Sequence, residues 1–296
     1  MTSLQPDSAF AEVNNINLHY HTWQPPSGGH VGLSPLLLLH PTGFLAHTWQ
    51  PVAEALAQPE DGSLGHHVYA PDLRGHGDSD KPSSGYNWQV FVDDLQAFLD
   101  RFALRNLPVV GHSFGGTVAA ALAAQHPEYF SRLVLIEPII IPPQARSVRG
   151  RGNDLAEGAR RRRTVWDSVD EIVESYGSKP TFQRWRPDVL RLYAEHGTFQ
   201  REDGLVELKC PGDIEAQMFD NDASLDVWEV LPKISLPTLV IRGALTEPHL
   251  AYICEEVSNR LQNGRLVTLD DAGHMSPMER PETIVKEVRE FLEEAQ

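Results

Sequence analysis

Two cysteines, Cys210 and Cys254, are all that 296 residues contain. They stand far apart and in no metal-like spacing, which argues against a disulfide scaffold or a thiolate metal site. Two free structural thiols in a reducing compartment are the expectation. Positive charge is also scarce: 25 Lys and Arg face 41 Asp and Glu, giving a net charge of −16. Neither nucleic acid nor an anionic membrane suits that balance, which says little about a small neutral substrate. Long apolar runs are missing, and the longest, Pro35 to Leu39, is far too short to span a bilayer. The opening MTSLQPDSAFAEV lacks a basic start followed by an apolar run, so no signal peptide is read there. A cytoplasmic protein with a small-molecule partner is expected, and the sequence leaves its oligomeric state open.

What is present is ordinary for a globular chain: 41% apolar and 22% charged residues. The length suits one large α/β domain or one domain carrying an insertion. AFAEV, a turn at Asn14-Asn15 and INLHYHTW read as a hairpin. A Pro/Gly-rich loop then leads to the buried-type strand LLLLH. HVYAPDL, LPVVGH and RLVLIEP read as further strands, alternating with helices over VFVDDLQAFLDRF and FGGTVAAALAAQ. Continuous apolar strands between amphipathic helices indicate a parallel sheet covered on both faces.

The alternation stops near Pro142-Pro143. From 143 to 225 helices and loops appear, with no convincing buried strand. SVDEIVESYG carries a capping box, Ser168 with Glu171, and RPDVLRLYAEHG opens on Pro187 and closes on Gly197. The strand–helix pattern resumes with TLVIRG, LAYICEEVSNRL, RLVTLDDAG and a helix from Pro281. In that helix Ile284, Val285, Val288, Phe291 and Leu292 form one apolar stripe. The expected architecture is an α/β core, residues 1–142 and 226–296, interrupted by a helical cap over 143–225.

Gly111-His112-Ser113-Phe114-Gly115 matches G-x-S-x-G at a strand–turn–helix junction. The pattern is weak alone and gains weight from that context. A sharp turn strains the serine backbone, and glycine at the flanking positions lets strand and helix pass. A phosphate loop would need a G-x-x-x-x-G-K-[ST] lysine, which is absent. A serine hydroxyl needs a base to act as a nucleophile. Of 13 histidines, His274, in the loop after the last strand, is best placed, while His40, His76 and His112 read as structural hydrogen-bonders.

LLLLHPTGFLAHTW, DLRGHGDSDKP, GHSFGG and GHMSPMERP, in that order, resemble the α/β-hydrolase superfamily, in its capped esterase–lactonase–dehalogenase–epoxide hydrolase branch. The resemblance spans nearly the whole chain, and it is specific for fold and much less so for substrate. It implies an oxyanion hole of two backbone N–H groups, one on Phe114 and one in the loop after LLLLH. Pro41 stands where the family usually has glycine and has no N–H to donate. Matching the loop by the distance from His40 to Trp49 puts that donor on Thr42, with Gly43 as the alternative. The resemblance also makes Asp72 and Arg74 structural, fixing a turn at the sheet edge.

The third member of a Ser-His-acid set is ambiguous. Most of the family has an aspartate three residues after the glycine of TLVIRG, where this chain has Thr246. Glu137, 137 − 113 = 24 residues after the serine, ends the preceding strand. The resemblance favours it, since some dehalogenases and lactonases carry a glutamate there. Glu247 is the alternative, held extended by Pro248, and Asp222 and Asp226 trail behind it. ARRRRTVW, with Arg160 to Arg163, reads as a solvated cap helix whose arginines point all round the axis. One arginine reaching a substrate carboxylate is the minor alternative. Phe182, Trp185, Phe199, Phe219 and Trp228 read as cap packing, with the lining of an apolar acyl or ring pocket as the alternative for some of them.

These readings converge on a serine hydrolase of a carboxylic ester or lactone, with no cofactor and no metal. Epoxide hydrolases and dehalogenases have an aspartate in place of Ser113. A C–C bond hydrolase or cofactor-free perhydrolase keeps the same residues, and a non-catalytic ligand-binding member of the fold is the reading from a different class.

Overall fold

A computed structural model describes residues 4–25, 33–59, 61, 65–146, 154–221 and 224–294. Its main sheet uses eight strands: β1 (Asp7–Val13), β2 (Ile16–Trp23), β3 (Leu33–Leu39), β4 (His66–Pro71), β5 (Leu107–His112), β6 (Phe130–Ile136), and, after three short strands of the insertion, β10 (Thr238–Gly243) and β11 (Gly264–Leu269). Their spatial order is β1-β2-β4-β3-β5-β6-β10-β11. The β1–β2 and β2–β4 pairs are antiparallel and the rest parallel. Asn14 and Asn15 make the first hairpin turn with φ of 48° and 61°, the left-handed values a two-residue turn of that hand needs.

Helices α1 (Gln50–Ala57), α2 (Trp88–Arg101), α3 (Phe114–Gln125), α9 (Pro248–Arg260) and α11 (Pro281–Glu293), the last preceded by the short α10 (Ser276–Glu279), cover the sheet. α2, α3 and α9 supply buried residues to the core on one face, α1 and α11 to that on the other. From Phe114 to Ala123 every residue of α3 is buried, so its alanine-rich sequence shows no amphipathic face. On α11 the stripe is real: Ile284, Val288 and Phe291 are buried, with Val285 and Leu292 packed partly against them.

Between β6 and β10 lie α4 (Pro143–Arg146), α5 (Asp154–Arg160), α6 (Val169–Gly177), α7 (Pro187–His196) and α8 (Gly212–Asp220). Ser168 Oγ accepts from Glu171 N–H at 3.1 Å, while Glu171 Oε2 accepts from Asp167 N–H at 2.9 Å rather than from the serine amide. The insertion is not purely helical. β7 (Val165–Trp166), β8 (Thr198–Gln200) and β9 (Val206–Leu208) form a small antiparallel sheet. These strands are too short and too exposed to leave an apolar run in the sequence.

The arginine run also departs from expectation, because α5 ends at Arg160 and the chain turns before β7. The aromatics divide. Phe182 and Trp185 pack with Phe44 and Tyr193, Phe219 packs on a small alanine cluster, Phe199 is exposed, and Trp228 joins the main core.

Candidate active site

The turn between β5 and α3 carries Ser113 at φ 53°, ψ −117°, a conformation an L-residue adopts only under constraint. Its neighbours explain the glycines. A Cβ on Gly111 would sit 2.6 Å from both Gly115 O and Gly116 Cα, and one on Gly115 would sit 2.5 Å from Leu39 O. Both obstacles are backbone, so no rotamer relieves them. Ser113 N–H is held on Ile136 O at 2.8 Å, which fixes the serine to the neighbouring strand.

Ser113 Oγ lies 3.2 Å from His274 Nε2, and His274 Nδ1 lies 3.3 Å from Glu137 Oε2. An ionised carboxylate only accepts, so Nδ1–H donates to Glu137 and Nε2 is left to accept the serine proton. Two contacts hold the histidine loop. His112 Nε2–H donates to His274 O at 2.8 Å, and Gly273 N–H donates to Glu279 Oε2 at 2.8 Å. Glu279 is itself buried and paired with Arg184 at 3.1 Å. Neither Glu279 nor Arg184 stood out in the sequence, where nothing links them to the loop.

Glu137 follows β6 with φ 48° and is 1% exposed. Its Oε1 accepts Gly243 N–H at 2.7 Å, and its Oε2 accepts Thr246 Oγ–H at 3.1 Å. Thr246 is the position where most of the family has aspartate, and here it supports the glutamate. The alternative acid is corrected: Glu247 is exposed at the N-cap of α9, with φ −61° and ψ 143°. Asp226 is exposed too, and Asp222 lies outside the described residues.

After β3 the loop turns at Pro41 to Phe44, with Phe44 N–H on Pro41 O at 3.4 Å and Gly43 at φ 82°. The Gly43 alternative for an anion donor is corrected, because its N–H is spent on His76 Nε2 at 2.9 Å. Thr42 N–H has no acceptor among the described residues. Phe114 opens α3, so its N–H has no intrahelical acceptor.

His40 and His76 are hydrogen-bond braces. Leu73 N–H donates to His40 Nε2 at 2.9 Å, and His40 Nδ1–H donates to Pro41 O at 2.8 Å. His76 Nδ1–H donates to Arg74 O at 3.0 Å. Burial pushes both imidazoles below their ordinary pKa, which keeps them neutral in these roles. Arg74 grips Asp94 with two bonds of 2.7 and 2.9 Å, and Asp72 accepts from Ala46 N–H at 2.7 Å, so both act within the scaffold. His19, Asp72 and Asp78 gather possible metal ligands within 4.8 Å. Those atoms are already engaged: His19 Nδ1 with Asp72 at 2.7 Å, Asp78 with Lys209 at 2.6 Å.

An arrangement of serine, histidine and buried carboxylate beside free amides can form and stabilise a tetrahedral adduct at a carbonyl. The comparisons identify the family. The model of the alpha/beta hydrolase family matches residues 36–287. The chain belongs to the alpha/beta hydrolase family.

Within this family the chain is 27% identical to the N-formylmaleamate deformylase of Pseudomonas putida over 285 residues, covering 95% of this chain and 94% of that one. It is 39% identical to the 2-hydroxymuconate semialdehyde hydrolase of a Pseudomonas species over 103 residues, 34% of this chain and 35% of the relative. An uncharacterised protein of Mycobacterium tuberculosis is 38% identical over 101 residues, 34% of this chain, which thus spans only 28% of that relative's length. Among solved structures, E-2-(acetamidomethylene)succinate hydrolase superposes with a TM-score of 0.80 at 20% identity, covering 98% of this chain and all of that one. That last likeness concerns the fold. This alpha/beta hydrolase has no helix among its described residues long and apolar enough to cross a membrane.

Proposed function

We propose that this alpha/beta hydrolase cleaves a carboxylic ester or lactone through an acyl-enzyme on Ser113. The observation that carries the reading is the line from Ser113 Oγ through His274 to Glu137, at 3.2 and 3.3 Å. In the mechanism His274 Nε2 takes the Ser113 proton as Oγ attacks the substrate carbonyl. The carbonyl oxygen becomes an oxyanion held by Thr42 and Phe114 N–H, each donor contributing about 3–4 kcal/mol. His274 returns the proton to the leaving alcohol oxygen as the C–O bond breaks. It then deprotonates a water, which attacks the acyl group and restores Ser113. Glu137 holds the required tautomer and stabilises the imidazolium formed in each half. No step calls for a metal or an organic cofactor.

A second reading, hydrolysis of a C–C bond next to a carbonyl, draws on the likeness to the 2-hydroxymuconate semialdehyde hydrolase. It uses the same residues and differs in the leaving group, a carbanion protonated at carbon. The first test is a fluorophosphonate followed by peptide mapping. Rapid labelling confined to Ser113, and slowed in His274→Ala, is expected. Folded protein that resists the reagent would overturn both readings. Turnover of 2-hydroxymuconate semialdehyde in preference to aryl esters and lactones would replace the first reading by the second.

A further inference from the structure

Two arginines of the insertion turn to buried carboxylates. Arg162 turns inward to Glu215 on α8, whose carboxylate fills the space where Gly43 lacks a side chain. Arg184, in the turn between α6 and α7, reaches out of the insertion to Glu279 on α10. This second pair touches the loop that carries His274.

Glu279 has 1% of its side chain exposed. Its Oε2 accepts from Gly273 N–H at 2.8 Å and from Arg184 Nε–H at 3.1 Å. Among the described residues no other cation pairs with this carboxylate. Without the guanidinium Glu279 is a buried charge with no counter-charge, and one amide compensates it poorly.

The guanidinium also lies against the backbone of the loop. A Cβ built on Gly273 would overlap Arg184 Nη2 and come 3.1 Å from Cζ. The third nearest atom is Glu279 Oε1 at 3.2 Å, so the obstacles are side-chain ends and not backbone. Gly273 is not among the residues of positive φ, so its backbone conformation does not demand glycine. What the missing side chain admits is Arg184. The next two residues add to the grip. Trp185 is buried in one cluster with Met275 and Met278, and Arg186 N–H donates to Met278 O at 3.0 Å.

His274 must keep two contacts at once, 3.2 Å to Ser113 and 3.3 Å to Glu137. Both are near the long end of hydrogen-bond reach, so a small drift of the loop breaks one of them. A misplacement of about 1 Å costs about a hundredfold in rate.

We propose that Arg184 is a positioning residue for His274, which locks the Glu279 carboxylate onto Gly273 N–H and ties the insertion to the histidine loop. The inference rests on the reading of Ser113 as nucleophile and His274 as its base, and it deepens that reading by naming what holds the base in place. Arg184 acts through Glu279 and the loop backbone, not on the substrate.

The test uses the full chain, with steady-state kinetics on an aryl ester and the rate of fluorophosphonate labelling at Ser113. Arg184→Met keeps most of the side-chain length and removes the charge. It should lower kcat and the labelling rate by about tenfold or more, with KM within about threefold of wild type. Gly273→Ala puts a methyl where the guanidinium lies and should cause a loss of the same order. Combining the two should cost little more than either alone, because both break one linkage. Arg186→Gln removes ion pairs with the exposed Asp188 and Glu282 and should stay within about twofold of wild type. A strut that only stabilises would lower the urea midpoint and leave kcat and labelling of the folded protein unchanged, which overturns the proposal. A rise in KM at unchanged kcat overturns it too, since Arg184 would then bind substrate. So does a double variant whose losses multiply. Should Arg184→Met not fold, Gly273→Ala decides by the same split between kcat and KM. Failure of wild-type Ser113 to label overturns the hydrolase reading itself, and this inference with it.

Discussion

Replacing Glu137 by Gln keeps the shape of the buried acid and removes only its charge and one acceptor. Oε1 accepts Gly243 N–H at 2.7 Å, so the glutamine must place its carbonyl oxygen there to avoid facing a donor with a donor. Its NH2 then takes the Oε2 position, 3.3 Å from His274 Nδ1. Two donors would meet unless His274 moves its proton to Nε2. That tautomer points an N–H at Ser113 Oγ, 3.2 Å away, and cannot accept the serine proton. The same substitution type in a Ser-His-Asp enzyme costs about 10⁴ in kcat, about 5.5 kcal/mol of barrier. We expect a loss of that order in Glu137→Gln, measured as kcat on an aryl ester together with the fluorophosphonate labelling rate. Glu247→Gln, at an exposed helix cap, should stay within about twofold of wild type. A Glu137→Gln enzyme within tenfold of wild type, or a large loss in Glu247→Gln, would refute the assignment.

Ser113→Gly should abolish turnover yet raise stability by about 1 kcal/mol, because glycine adopts φ 53° without strain; urea unfolding reads the gain. Gly115→Ala should cost about 3 kcal/mol in the same assay, since the added methyl lies 2.5 Å from Leu39 O and 2.7 Å from His40 O. Burial lowers His21 to a pKa of about 4 and His47 to about 3, so both are neutral when folded and take up protons on unfolding below pH 6.5. Stability should therefore fall as pH drops from 6.5 towards 4, by up to about 1.4 kcal/mol per pH unit for each. His21→Gln should flatten that slope by close to one proton, and an unchanged slope would contradict the placement. Both cysteines are buried, with Cys210 pushed up to about 12, so native protein should resist a thiol reagent that labels both residues after unfolding.

The parts of the molecule that were legible are those in which a local pattern has only one physical outcome. LPVVGHSFGG is a buried strand, a turn whose flanking glycines leave no room for a Cβ, and a helix, and every clash that enforces it is within the segment or on the adjacent strand end. The Asn14-Asn15 hairpin and the stripe of α11 are equally local. The acid was ambiguous because its identity depends on pairing. Glu137 and Glu247 are both strand-end or helix-start carboxylates by sequence. What separates them is that β6 lies beside β10, which brings Gly243 N–H and Thr246 to one and leaves the other in solvent. The two amide candidates of the oxyanion loop were separated in the same way, by His76 arriving from 33 residues further along the chain.

Arg162 shows why a charge run misleads more than an apolar pattern does. Hydrophobic spacing is read correctly on average because burial acts on every member of a stripe. A run of like charges has no such shared fate: Arg160, Arg162 and Arg163 each find their own partner, and those partners lie on α8, on α6 or on α5 itself. The inward member was not marked by its own sequence context but by an absence elsewhere, the missing side chain at Gly43 that makes room for Glu215. Such a pair is costly to bury and replaceable by apolar residues of similar volume, so stability gives no reason for it.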